Sequence, residues 1–289
     1  MIINDKFAGL TKNESGYTYA GDIYSDETIE INLDDHLTVK GSVKSLKSII
    51  ATCGITANYG ISAAKDIETD GDLVTISHCG NGIFAGEDIK AHGCISADYT
   101  FIKAGWGIKA YKSIQAGEGI EAGQGIKAGE DIKAGEVIKS GQYIFSHKSI
   151  TAGWGIEAGR SIKADEDIKA EHCITAVEDI IAGGCIATRF GIKAGYDITA
   201  GRDITATCEG IEAGEDIISG ESITAGNGIT AGCAITAKTY IDCGKRIFAG
   251  IRVLDTDENC KKDITCAELR QGEICYGNLI LRDEDKNND

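Results

Sequence analysis

The sequence predicts an all-β protein: a single-stranded triangular parallel β-helix, or β-solenoid, with 18 residues per coil and capped ends. Three observations predict it. An isoleucine returns every six residues without a slip from Ile102 to Ile204, a small residue follows it two places later, and the chain contains no proline. A short fixed period is typical of a fold that stacks one small unit. Proline would delete one of the hydrogen bonds between stacked strands.

A period of six fits a short strand followed by a corner. On a helix of about 3.6 residues per turn, an apolar residue every six positions would form no stripe. In the hexad 126–131, Ile126 and Ala128 would point inward and Lys127 outward, as in a strand. The Gly-Glu-Asp that follows has turn composition, and we expect Gly129 to adopt a left-handed backbone conformation there. Three such sides make one coil.

The repeat can be followed through most of the chain, and its breaks predict corners with extra residues. Core positions at this spacing run through 31–73, 83–95, 102–204 and 211–253. The irregular steps predict loops or bulges near 74–82, 96–101 and 205–210. Charges support the stacking of residues 18 apart, because one outward row alternates in sign along Lys103, Glu121, Lys139 and Glu157. Opposite charges on adjacent strands contribute about 0.2–1 kcal/mol per pair.

The decay of the period at both ends predicts the domain organisation. We expect an N-terminal cap at 1–28, a solenoid of six-residue units at 29–253, and a C-terminal cap with an acidic tail at 254–289. An open solenoid end exposes strand edges that invite stacking of another copy. Charged caps should discourage such growth, so we expect a discrete particle, with a small homo-oligomer as the alternative.

The charge of the chain argues against direct binding of nucleic acid. The net charge is −16, of which residues 1–40 and 254–289 together carry −10. A nucleic-acid-binding surface requires the opposite sign, whereas acidity favours a basic partner. The sequence begins with no signal peptide, shows no apolar span of membrane length and has 11 cysteines, which predicts reduced thiols and a cytoplasmic protein without membrane contact. We predict no cofactor.

The hexads resemble two groups of β-solenoids. The segment Gly129-Glu130-Asp131-Ile132-Lys133-Ala134-Gly135 resembles bactofilins, which implies a triangular β-helix that polymerises as a cytoskeletal scaffold. The hexads also resemble the hexapeptide repeats of acyltransferases. In that group the small residue usually lies four places after the aliphatic one, whereas here it lies two places after, and no long loop with a catalytic histidine interrupts the coils. An enzyme is therefore the third alternative. The handedness of the coil stays open.

Histidine and cysteine pairs raise the question of metal or nucleophilic chemistry. The pairs are His78-Cys79, His92 with Cys94, and His172-Cys173. Zinc requires four such ligands at tight spacings, and a nucleophile requires a positioned base and an orienting group. His147 lies near Ser146 and Ser149 but has no third member. We therefore predict no metal ligand and no catalytic residue, and interpret these side chains as surface positions.

Aromatic residues and paired carboxylates are the candidates for partner binding. Large aromatic side chains on a small, polar exterior are candidate contact anchors, although packing under a corner is the alternative. The aromatic candidates are Trp106, Tyr111, Trp154, Phe190 and Tyr196. The acidic candidates are Glu130, Asp131, Glu166 and Asp167, for which solvated turns are the alternative.

These observations predict a non-enzymatic, acidic interaction protein that binds a protein partner through a lateral face or an acidic end. A sharper hypothesis is an inhibitor that mimics nucleic acid and occupies the cleft of a basic nucleic-acid-binding protein. The alternatives are a bactofilin-like scaffold that self-assembles and, third, an acyltransferase-like enzyme.

Overall fold

The chain folds as a parallel β-solenoid, seen in a computed structural model that describes residues 1–76, 82–251 and 261–282. Within these ranges every regular element is a β-strand, and the register of paired strands advances by about 18 residues per turn, as from Ile108 to Ile126. The chain divides into two compact units, Met1–Lys148 and Ser149–Asp289.

The first unit consists of short strands, most of them three residues long. They are β1 (Ile2–Ile3), β2 (Leu10–Asn13), β3 (Gly16–Tyr19), β4 (Ile23–Ser25), β5 (Ile29–Ile31), β6 (Leu37–Val39), β7 (Val43–Ser45), β8 (Ile49–Ala51), β9 (Ile55–Ala57), β10 (Ile61–Ala63), β11 (Ile67–Thr69), β12 (Leu73–Thr75), β13 (Ile83–Ala85), β14 (Ile89–Ala91), β15 (Ile95–Ala97), β16 (Ile102–Ala104), β17 (Ile108–Ala110), β18 (Ile114–Ala116), β19 (Ile120–Ala122), β20 (Ile126–Ala128), β21 (Ile132–Ala134), β22 (Ile138–Ser140) and β23 (Ile144–Ser146).

The second unit repeats the pattern and ends in longer strands. Its strands are β24 (Ile150–Ala152), β25 (Ile156–Ala158), β26 (Ile162–Ala164), β27 (Ile168–Ala170), β28 (Ile174–Ala176), β29 (Ile180–Ala182), β30 (Ile186–Thr188), β31 (Ile192–Ala194), β32 (Ile198–Ala200), β33 (Ile204–Ala206), β34 (Ile211–Ala213), β35 (Ile217–Ser219), β36 (Ile223–Ala225), β37 (Ile229–Ala231), β38 (Ile235–Ala237), β39 (Tyr240–Ala249), β40 (Asp263–Cys266), β41 (Glu268–Tyr276) and β42 (Asn278–Leu281).

The pairing of strands confirms the three-sided coil. Through the regular hexads of each unit, a strand pairs in parallel with the third strand after it, so that Ile126 lies opposite Ile144 in the first unit and Ile162 opposite Ile180 in the second. Three rows of strands result, and their hydrogen bonds run between successive turns. The predicted charge row is confirmed where Lys103 Nζ lies 2.7 Å from Glu121 Oε2 on the next turn.

The core consists of the isoleucine that opens each strand and the small residue that closes it. Ile126 and Ala128 are both fully buried, whereas Lys127 between them is exposed. Burial of an isoleucine side chain contributes about 1.5–3 kcal/mol. Where the small residue is serine, its hydroxyl is satisfied by the corner: Ser219 Oγ donates to the carbonyl oxygens of Arg202 at 2.6 Å and Ser222 at 2.9 Å.

The expected left-handed glycine at the start of each corner is wrong. Among the described residues, positive φ angles occur only at five glycines, and only Gly250, three places after Ile247, holds this position of a repeat unit. The glycine is needed for a different reason. A β-carbon on Gly129 would lie 1.9 Å from the carbonyl oxygen of Tyr111 on the preceding turn, and one on Gly195 would lie 1.9 Å from that of Val177. Close approach of the backbone of the neighbouring turn, rather than turn conformation, selects glycine at these positions.

The start of the repeat is also corrected. We predicted Ile31 as the first core position, but Ile29 lies opposite Ile49 and Ile31 lies opposite Ala51, in the place of the small residue. The core spacing between Ile29 and Leu37 therefore holds two extra residues in the corner. The predicted bulges at 96–101 and 205–210 fall in corners at 98–101 and 207–210. Of the third predicted bulge, at 74–82, residues 77–81 lie outside the described residues.

Both ends contain strands that differ from the hexads. In residues 1–28, β2 and β3 form an antiparallel hairpin, and β4 already pairs in parallel with β7. At the other end β40 pairs with β42, and β39 pairs with β41 through an irregular register. Residues 252–260 and 283–289, which include most of the predicted acidic tail, lie outside the described residues. The cap boundaries stay predictions.

Candidate partner-binding corner of the second unit

Two corners of the second unit differ in their polar chemistry. We name the corner that follows β28, β31, β34 and β37 the aspartate corner; it contains residues 177–179, 195–197, 214–216 and 232–234. We name the corner that follows β24, β27, β30, β33 and β36 the open corner; it contains residues 153–155, 171–173, 189–191, 207–210 and 226–228, and 244–246 continues it within β39.

In the aspartate corner, each turn supplies a carboxylate to the next. Asp179 Oδ1 accepts the backbone N–H of Asp197 at 3.2 Å, Asp197 Oδ1 accepts that of Asp216 at 2.9 Å, and Asp216 Oδ1 accepts that of Ala234 at 2.7 Å. Each bond joins the last residue of one corner to the last residue of the corner above. The carboxylate thus satisfies a backbone donor that has no carbonyl partner.

Asp167, a predicted contact residue, makes the same kind of bond in the third corner of the second unit, which follows β26 and β29. Its Oδ1 accepts the N–H of Cys185 at 2.8 Å, Lys169 Nζ lies 2.7 Å from Oδ2, and Arg202 lies 3.4 Å from Oδ1. The hydrogen bond from Lys169, followed by that from Cys185, holds the pKa of Asp167 below its usual range. Asp167 therefore has a structural role whether or not it contacts a partner.

The other acidic candidates make weaker local contacts. Ser113 Oγ donates to Glu130 Oε2 at 3.3 Å in the first unit, and Ser149 Oγ donates to Glu166 Oε2 at 3.2 Å in the second. Glu130 and Asp131 belong to the first unit, whereas Glu166 belongs to the second.

The open corner holds a ladder of three stacked rings. The ring centroids of Trp154 and His172 are 4.7 Å apart at an interplanar angle of 7°, and those of His172 and Phe190 are 4.3 Å apart at 21°. Backbone bonds position the ladder, because His172 N donates to Trp154 O at 2.7 Å and Phe190 N to His172 O at 3.2 Å. Trp154 is 57% exposed. The sequence predicted Trp154 and Phe190 but missed His172, which the 18-residue spacing could have identified.

A groove of about 980 Å³ adjoins this ladder in the open corner. Its lining includes Gly191, Gly210 and Gly228, the last residues of three successive corners. Lys193, Lys245, Arg246, Glu209 and Glu273 are among its polar walls. Both signs of charge are therefore present around a backbone floor.

The glycines of the groove carry backbone N–H donors whose equivalents in the aspartate corner are bonded to carboxylates. Within the described residues the N–H groups of Gly191, Gly210 and Gly228 donate no hydrogen bond. The residue one turn earlier is Cys173, Gly191 or Gly210, none of which has a carboxylate. Because these glycines line the groove, their N–H groups are left to solvent or to a molecule bound in the groove.

The remaining aromatic candidates lie elsewhere. In the first unit, Trp106 is 50% exposed, and Tyr111 stacks on His92 with centroids 4.7 Å apart and Lys109 Nζ 4.9 Å from its ring centroid. In the second unit Tyr196 is exposed in the aspartate corner. Of the five aromatic candidates, only Trp154 and Phe190 are brought together in one ladder.

The histidine and cysteine pairs form no larger cluster in the described ranges. No group of three or more metal-ligating side chains occurs there, and His78 and Cys79 lie outside the described residues. His92 Nδ1 lies 3.1 Å from Asp70 Oδ1, His172 Nδ1 lies 3.5 Å from Cys173 Sγ, and His147 packs edge-on against Phe145.

Burial controls the chemistry of the internal thiols. It raises the pKa of the Cys53 thiol to about 11, and it also raises the pKa of Cys243 and Cys266. These thiols stay protonated at neutral pH and are therefore weak nucleophiles.

The fold and the open corner together define a β-solenoid with an exposed aromatic ladder and an adjoining polar groove on one edge. No protein-family model, curated protein or solved structure matches the chain. Among the described residues, no helix has the length and apolar character needed to cross a bilayer.

Proposed function

We propose that the protein is a non-enzymatic interaction protein that binds a protein partner through the open corner of its second unit. The observation that supports this proposal is the ladder of Trp154, His172 and Phe190. Trp154 remains 57% exposed although it stacks on His172, so one large aromatic face is offered to solvent. Aromatic side chains held rigidly by their neighbours are the most effective anchors of protein interfaces, because they lose little conformational entropy on binding.

The charge of the chain supports a basic partner. With a net charge of −16, the protein attracts cationic surfaces. A basic nucleic-acid-binding protein, inhibited by occupation of its cleft, is the partner class that we propose. Such binding would be strongly weakened by salt.

The test compares two tryptophans that share a local sequence. Gly105-Trp106-Gly107 and Gly153-Trp154-Gly155 place similarly exposed rings at corner centres. Wild-type, Trp154→Ala and Trp106→Ala proteins would be used to capture partners from native cell extract at low and high salt, with identification by mass spectrometry. We expect Trp154→Ala to lose about 30-fold in affinity for the captured protein, and Trp106→Ala to bind like wild type. Equal capture by all three proteins would overturn the proposal.

A second function, a bactofilin-like scaffold that self-assembles, is favoured by the last described strand. In β42 the side chains of Leu279, Ile280 and Leu281 are all exposed, and among the described strands it pairs only with β40. An exposed apolar edge strand is a template for pairing with another copy. Sedimentation velocity of wild type and Ile280→Lys tests this: self-association that the lysine abolishes supports the scaffold, and a concentration-independent monomer refutes it.

The third alternative, an acyltransferase-like enzyme, is tested with the same preparations. Turnover of acyl donors that is lost in His147→Ala would contradict the non-enzymatic proposal.

A further inference from the structure

We propose that the groove of the open corner is a binding site for a carboxylate-bearing ligand, which is held by the backbone N–H groups of Gly210 and Gly228 and by Lys245 and Arg246. This inference goes beyond contact with the aromatic ladder, because it assigns a chemical class of ligand to a separate part of the corner.

The chain itself shows what the donor at this position binds. Where the residue one turn earlier is an aspartate, its carboxylate accepts the N–H of the last corner residue: in the second unit, Asp203 Oδ1 accepts that of Ser222 at 3.1 Å. In the first unit, Asp88 Oδ1 accepts the N–H of Gly107 at 2.9 Å. A carboxylate oxygen therefore fits against this backbone donor in both units, without any change in the path of the chain.

In the open corner the residue one turn earlier cannot supply that carboxylate. The residues that precede Gly210 and Gly228 by one turn are Gly191 and Gly210, which have no side chain beyond hydrogen. Both glycines line the groove of about 980 Å³. A β-carbon on Gly191 would lie 3.6 Å from the Gly210 carbonyl oxygen, whereas one on Gly210 would lie 2.7 Å from that of Gly228. The donors follow one another at about 4.8 Å, the spacing of adjacent strands. A ligand with two carboxylates about this far apart can accept from both.

The positive charges of Lys245 and Arg246 favour a position of the ligand's carboxylate toward the Gly228 end of the groove. Lys245 and Arg246 line the groove, are exposed, and make no ion pair within the described residues. Lys193, by contrast, is paired with Glu212 at 2.9 Å. Two unpaired cations beside unpaired backbone donors attract a carboxylate by both charge and hydrogen bonding.

Two carboxylates of the groove oppose the ligand and give the site its selectivity. Glu209 lies at the other end, where its Oε2 is 3.2 Å from the position of a β-carbon on Gly191. Glu273 is the register partner of Arg246 and also lines the groove. Because Glu273 competes with a ligand for Arg246, its neutralisation should strengthen binding.

The probe is succinate, titrated into uniformly ¹⁵N-labelled full-length protein at constant ionic strength. We expect saturable chemical-shift changes at the amides of Gly210 and Gly228. The amides of Gly107 and Ser222, which aspartates already occupy, should not move. Dimethyl succinate, which has the same shape without charge, should produce no saturable change. Non-saturating shifts of equal size at all four amides, or the same response to dimethyl succinate, would overturn the proposal.

Three variants separate the contributions to the site. Lys245→Gln combined with Arg246→Gln should weaken succinate at least tenfold, and Glu273→Gln should strengthen it about threefold. Gly191→Asn should weaken binding, because its amide oxygen would accept the N–H of Gly210 as an aspartate does elsewhere. A β-carbon there meets only the flexible end of Glu209 and the Gly210 carbonyl oxygen at 3.6 Å, so the fold should be retained. Unchanged affinity in the double variant and in Glu273→Gln would refute the site.

The result is distinguishable from the outcome of the partner capture. Trp154→Ala should bind succinate like wild type, since the ring is not part of the groove lining. Loss of succinate binding in Lys245→Gln with Arg246→Gln would leave the aromatic contact to be judged by the capture experiment alone.

Discussion

The aspartate corner and the open corner of the second unit both join strands of successive turns, but they differ in how the backbone N–H of the last corner residue is hydrogen-bonded. In the first, Asp197 accepts the N–H of Asp216, and its own N–H donates to Asp179, so these donors are satisfied within the chain. In the second, Gly191 and Gly210 leave equivalent donors uncovered beside a groove. One side chain per turn therefore decides whether an edge of the solenoid closes on itself or is available to a ligand.

The largest expected effect on stability comes from comparing two glycines. Gly195 is the first residue of its turn of the aspartate corner, and Gly155 is the last residue of its turn of the open corner. Gly195→Ala places a β-carbon 1.9 Å from the Val177 carbonyl oxygen, whereas in Gly155→Ala the nearest atom, the Cys173 carbonyl oxygen, is 3.3 Å away. We expect Gly195→Ala to lower the free energy of unfolding by about 1–3 kcal/mol, because the turns must shift apart. Gly155→Ala should change it by less than about 0.5 kcal/mol. Urea denaturation measures both; similar losses would show that the close approach is not what selects glycine.

The next effect concerns the aspartate corner itself. Asp197→Ala leaves the N–H of Asp216 without its acceptor and should cost about 1–2 kcal/mol of unfolding free energy. Asp197→Asn keeps an oxygen acceptor without the charge and should cost less than half as much. Thermal denaturation of the two variants provides the measurement. If both variants were as stable as wild type, the ladder of carboxylates would have no energetic role.

A smaller effect should appear in the pH dependence of stability. The pKa of Asp167 is lowered from an ordinary value of 3.8 by Lys169 and Cys185, so its folded form holds the charged state more tightly than the unfolded chain. Its contribution is present above the ordinary pKa and is lost as pH falls below about 4 toward the lowered value. Asp167→Asn should cost about 0.5–1.5 kcal/mol at pH 7 and show a flatter decline below about pH 4. An acid limb as steep as that of wild type would contradict this assignment.

The last comparison concerns the reactivity of thiols and not the stability of the fold. Cys208 is exposed in the open corner, whereas Cys53 is buried with a pKa of about 11. A two-unit rise lowers the thiolate fraction of Cys53 about 100-fold relative to an ordinary thiol. We expect iodoacetamide at neutral pH to modify Cys208 well before Cys53, as followed by peptide mass spectrometry. Modification at equal rates would show that the interior of the coil opens readily.

The six-residue pattern was sufficient to predict the core, the three-sided coil and the ion pair of Lys103 with Glu121. It was not sufficient for the start of the repeat, because Ile29 and Ile31 are the same residue type and only the partner strand decides which one opens the unit. The role of glycine was misjudged since a carbonyl from the neighbouring turn is invisible in a single hexad. The candidate site in the groove could not be predicted from the sequence, because its unbonded N–H donors are identified only when equivalent corners are compared in space.

The extra residue in the corner at 207–210 leaves the strands on either side in register, with Ile186 opposite Ile204 and Ile192 opposite Ile211. The open corner is thus an edge where the chain can be lengthened without disturbing the stack, because no carboxylate ladder has to be kept continuous there. Sequence can be inserted at this edge, and a grafted loop would be displayed beside the groove while the turns beneath it keep their spacing.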